Sequence, residues 1–150
     1  MGNGQARKET MKTMKTSIAL AAFIIGGAAV AGDSPAPKNA YLYIGWPNDG
    51  EVVRKNNFRV WFGLRKMGIA PAGTEKPKTG HHHLIVDAPL PPMDEEIPAD
   101  KNHLHFGKGQ TETRITLPSG THTLQLLLGD LDHVPHNRPV VSQKKTITVK

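Results

Sequence analysis

The chain has 150 residues, a formal net charge of +6 and no cysteine. Without cysteine it has no disulfide, no cysteine-type zinc site, no blue-copper centre and no attachment of lipid through an N-terminal cysteine. Its positive charge is mild and dispersed, which argues against a nucleic-acid partner.

The first predicted element is a targeting segment. A basic stretch, "MKTMKTS", leads into the apolar run "IALAAFIIGGAAV" and then the small-x-small pattern ending at Ala31, which marks residues 1–31 as a signal peptide cleaved after Ala31. The apolar run is shorter than the roughly 20 residues of a membrane span, and Gly26 and Gly27 weaken it further. Removal of Arg7, Lys8, Lys12 and Lys15 against Glu9 halves the net charge. The expectation is a periplasmic or secreted protein with no membrane contact after cleavage. Residues 32–39 read as a flexible, Pro-containing leader, and residues 40–150 as one domain.

Seven short segments with β patterning follow: 40–46, 57–64, 81–87, 103–106, 113–117, 122–128 and 140–149. Alternating Phe58, Val60 and Phe62 exemplify the period of two that puts one face into a core. Residues 92–102 carry acids suited to a helix start, but Pro98 interrupts them, so a turn or one short helical piece is expected. The pattern predicts an all-β, immunoglobulin-like two-sheet sandwich, with a closed barrel as the alternative. Residues 65–80 form the longest irregular connection, read either as a lid or as an excursion packed on the sandwich. Trp46 and Trp61 are expected in the core or at its rim.

The histidines carry the chemistry. In a sandwich of this type His81, His82 and His83 open the third strand, His103 and His105 lie on the fourth, and His133 and His136 lie in the last long connection, so seven of eight gather at one end. Parity groups His82 with Leu84 and Val86 facing inward, and turns His81 and His83 outward, as it does His103 and His105. His122 shares parity with Leu124, Leu126 and Leu128 and takes a structural role, as does His82. Two His-x-His pairs and a His-x-x-His make His81, His83, His103, His105, His133 and His136 candidate ligands of a transition metal, copper(II) or zinc. Asp87, Asp130, Asp132 and Glu112 are candidate orienting partners of the imidazoles.

Alternatively the histidines form a hydrogen-bonded polar cap without metal, in a structural or protein-interaction domain of the cell envelope. The partner is then an envelope protein and not a metal ion. A hydrolase using Glu112 as base is the weakest reading, because no nucleophile motif accompanies it. No phosphate-loop motif is present either, since "GKGQTE" lacks the Lys-Ser/Thr ending.

The segments "VWFGLRKMGIAPAG" (60–73), "GHHHLIVD" (80–87), "NHLHFGKGQTE" (102–112) and "LPSGTHTLQLLLGDLDHVPH" (117–136) together resemble the bacterial family known as domain of unknown function 4399. The resemblance implies an exported domain. It assigns no mechanism, and it carries all eight histidines without separating ligands from structural ones.

Overall fold

A computed structural model describes residue 1, residue 32 and residues 34–150; the signal-peptide reading lies outside the described residues. Among the described residues nine strands are present: β1 (Tyr41–Trp46), β2 (Val52–Val53), β3 (Asn57–Arg65), β4 (Gly68–Ile69), β5 (Thr79–Val86), β6 (His103–His105), β7 (Glu112–Thr116), β8 (Gly120–Gly129) and β9 (Lys145–Val149). They form a three-stranded sheet, β1-β3-β7, and a six-stranded sheet, β2-β9-β8-β5-β4, with β6 also paired to β5. This is the expected immunoglobulin-like sandwich, in which β6 has joined the edge of β5 and not the edge of β7. Two short strands, β2 and β4, were not expected. They pair in parallel with β9 and β5.

Alternation builds the core between the sheets. Leu42 and Ile44 of β1, Phe58, Val60 and Phe62 of β3, Leu84 and Val86 of β5, and Leu124, Leu126 and Leu128 of β8 are all buried there. The main driving force is this apolar burial, about 25 cal/mol per Å² removed from water. A second, smaller cluster lies on the other side of the six-stranded sheet. Ile85 and Leu127, which point outward from β5 and β8, are sealed by Ile97 from the β5–β6 connection, with Met93 and Val141 alongside. As a result every residue of β5 from Gly80 to Val86 is buried. A strand covered on both faces loses its polar alternation, which is why "HHHLIV" shows none.

Several connections differ from expectation for local reasons. Residues 92–102 form bends and no helix. The 65–80 connection is a packed excursion: Gly68 N–H donates to Lys78 O, Ala72 N–H to Gly107 O and Gly73 N–H to Leu131 O, at 2.9 Å each. The segment expected as one strand over 140–149 is divided, because Val141 bridges Leu127 while the ladder with β8 begins again only at Lys145. Residues 34–37 are not a free leader, since Pro35 bridges Asn137 and Ala36 N–H donates to Asn137 O at 3.0 Å. Trp61 is not in the core; it is 48% exposed on the outer face of the three-stranded sheet. Among the described residues no helix is long and apolar enough to cross a membrane.

Candidate metal centre

Antiparallel register decides which histidines meet. On the outer face of the six-stranded sheet, His83 of β5 stands directly opposite His105 of β6, and His81 opposite Gly129 of β8. His81 and His83 share a face because they are two residues apart. A fourth imidazole comes from the connection after β8. There the Asp130 carboxylate accepts N–H bonds from Asp132 and Val134 at 3.0 Å, and the turn places His133 at a φ of 67°. Ile97 N–H then donates to His133 O at 2.9 Å, which ties the β5–β6 connection to the same loop.

The result is a cluster of four rings. Ring centroids are separated by 4.9 Å for His81–His83, 5.0 Å for His81–His105, His81–His133 and His83–His105, 4.7 Å for His105–His133, and 6.1 Å for His83–His133. The Nε2 atoms of His81 and His83 lie 3.0 Å apart. Ligand atoms of His81, His105 and His133 lie within 4.8 Å of one another, so these side chains can hold a metal ion. The ligand set is all imidazole, which suits zinc, copper, nickel or iron.

Two glycines make room for the rings. A Cβ on Gly129 would lie 2.9 Å from His83 Nε2, and one on Gly107 would lie 2.5 Å from His105 Nε2. Both approaches are closer than real Cβ contacts allow. Small residues at these positions are therefore part of the site.

Burial disfavours the charged form of His81 and His83. Desolvation, reinforced by the neighbouring His133 and His105 imidazoles, pushes His81 down to about 4. Desolvation, reinforced by His81 and His105, pushes His83 down to about 2. His105, open to solvent on its edge strand, is lowered by partial burial and by His133. Neutral imidazole is the form that binds metal.

The remaining histidines stand elsewhere. His103 is two residues along β6 from His105 and faces Ile85, so its Nδ1 reaches Asp100 at 3.0 Å and it stays out of the cluster. His136 is buried, with Nε2 3.0 Å from Thr79 O, and it too lies outside the four rings. His82 points between the sheets as parity predicts; its Nδ1 is 3.0 Å from Gln110 O and its ring lies 5.1 Å from that of Phe62. His122 bridges Asp87 at 2.6 Å and Pro118 O at 2.9 Å.

The carboxylates expected around the imidazoles are mostly engaged in other ways. Asp87 holds His122 and the Thr123 N–H. Asp132 is exposed, and Glu112 faces Arg59 at 3.8 Å on the outer side of the other sheet. Asp130 is buried next to the cluster and shapes its loop. The carboxylate that does face a cluster imidazole is Glu96, 3.9 Å from His133 Nδ1, which sequence reasoning missed. Its place in an irregular connection leaves no periodic signal by which to find it.

Comparisons with known proteins identify the family. The family model described as "Domain of unknown function (DUF4399)" matches residues 60–150, and the chain belongs to that family. No curated protein matches the sequence. Among solved structures, the chain is similar to the fibronectin(III)-like modules of Clostridium thermocellum CbhA, with 10% identity, a TM-score of 0.39, and coverage of 72% of this chain and 92% of that one.

Proposed function

We propose that this DUF4399 domain is an exported binding module that holds one transition-metal ion, zinc or copper(II), through His81, His83, His105 and His133. The observation that carries the reading is the convergence of four rings from three separate elements, two of them fully buried and with their Nε2 atoms 3.0 Å apart. Four nitrogens at about 2.0–2.1 Å from one ion in a tetrahedron lie about 3.3 Å from each other, close to the spacing of this pair. Delivery or storage fits the site better than a permanent structural role. Metal-bound histidines normally donate their second N–H to an acceptor that fixes the ring, yet Nδ1 of His81 and of His83 has no partner among the described residues. His105 is also exposed, which gives the ion a route in and out.

The test is calorimetric titration of the tag-free chain with zinc and copper(II). One equivalent should bind saturably, and alanine at His105 or His133 should weaken binding by at least about tenfold. The His103→Ala variant should bind like the parent. Absence of saturable binding, or equal binding after loss of His105 and His133, overturns the reading.

A second reading is favoured by the same 3.0 Å contact, which is itself an acceptable hydrogen bond between two neutral imidazoles. In that case the cluster is a polar cap of an envelope interaction domain. The cap has a cost: whichever ring accepts must carry its proton on Nδ1, buried and unpartnered. Melting with and without a strong chelator separates the readings, because only a bound ligand raises the stability of the native state.

A further inference from the structure

Apart from the imidazole cluster, β2, β3 and β7 border a groove of about 460 Å³ that no histidine lines. Its aromatic walls are Trp46 and Trp61. Trp46 is held in place by its Nε1–H bond to Glu51 at 3.0 Å and by an edge contact with Phe58 at 6.0 Å between centroids. Trp61 leaves 48% of its surface in water, an unusual exposure for so large an apolar ring. Four cations, Arg54, Lys55, Arg59 and Arg114, contribute to the lining, and among the described residues no acidic side chain does. Arg114 is oriented by two bonds to Asn57, from Nε to Oδ1 at 2.8 Å and from an Nη to the backbone oxygen at 3.2 Å. Arg59 faces Glu112 at 3.8 Å, a contact between two exposed side chains that competes weakly with a bound anion.

We propose that this groove binds an acidic saccharide, with a sugar ring against Trp61 and its carboxylate on the basic side chains. Indole offers a flat apolar face to the C–H face of a sugar, and guanidinium matches a planar carboxylate through two parallel hydrogen bonds. The volume suits roughly one or two pyranose rings. It is an open groove with four cations grouped at one place, and not a long basic stripe of the kind that follows a nucleic-acid backbone. The expected export of the chain places it among envelope or extracellular glycans. None of the cluster histidines lines the groove, and the proposal does not depend on the metal reading.

The experiment titrates the full chain with a galacturonic acid octamer, its methyl ester and a single-stranded DNA octamer, read by tryptophan fluorescence and calorimetry. The acid should bind saturably. Esterification, Trp61→Ala and the double change Arg54→Gln with Lys55→Gln should each weaken it by at least about tenfold, with zinc affinity unchanged. All three altered residues are exposed, and thermal melts of each variant check that it folds; if Trp61→Ala fails, the double variant decides. No binding of the acid, equal binding of the ester, indifference to the substitutions, or tighter binding of the DNA overturns the proposal.

Discussion

At the scale of single residues, the eight histidines divide by the partner each ring finds. His103 and His105 have the same parity on β6, yet one closes on Asp100 and the other joins the cluster. Parity predicts the face but not the neighbour: His81 and His83, also two apart on one strand, bring their Nε2 atoms to 3.0 Å, whereas the His103 ring turns to Asp100 and away from His105. Protonation gives opposite signs at two sites. His81 and His83 titrate below the ordinary 6.5 in the folded chain, so the unfolded chain takes up protons first as pH falls. Their contribution is fully present above about pH 6.5 and is lost as pH falls towards 4 and below, at up to about 1.4 kcal/mol per pH unit for each proton. Urea melts in chelator at pH 7.5, 6 and 5 should show this decline, and a flat profile contradicts it. His122 behaves in reverse. Burial alone would lower it, but the Asp87 carboxylate and Pro118 carbonyl raise it, so its contribution is present below pH 6.5 and fades as pH rises through its folded value. Asp87→Asn should cost about 1–3 kcal/mol in the same melts near pH 6, because His122 and the Thr123 N–H lose a charged acceptor.

At the scale of elements, the site depends on one register and one tight loop. The inward direction of His82 and the outward direction of His81 and His83 were legible in the sequence, because Leu84 and Val86 fix the parity of β5. That the outward pair is fully buried was not legible: the rings set against it are His105, from a strand paired to β5, and His133, from a connection without periodicity. The choice of His133 over His136 was likewise hidden, since it turns on the Asp130 bonds that set the loop after β8. The convergence expected at one end of the sandwich is instead a convergence on the outer face of a sheet, because β6 pairs with β5. Glycine tests the element directly. Gly107→Ala should push the His105 ring aside and lower metal affinity by about tenfold or more in a competition titration, with a small effect on melting. Unchanged affinity would show that His105 is not a ligand.

At the scale of the whole molecule, two sheets serve as supports for two separate surfaces. The inter-sheet core uses the inward residues of both, which the alternating pattern made readable almost throughout. The outward residues then differ by sheet: one side is roofed and holds imidazoles, the other is open and carries Trp61 among basic side chains. On the proposed function, a bound ion would tie β5, β6 and the loop after β8 together. Zinc at 100 times its dissociation constant should stabilise the chain by about 2.7 kcal/mol, seen as a rise of several degrees in melting temperature that chelator reverses. The central claim is that four imidazoles surround one ion. X-ray absorption on the zinc-loaded, tag-free chain tests it most directly: the account predicts one zinc per chain with four nitrogens at about 2.0–2.1 Å and the scattering signature of imidazole rings. A shell dominated by oxygen, fewer than three imidazoles, or no zinc retained after desalting would contradict it.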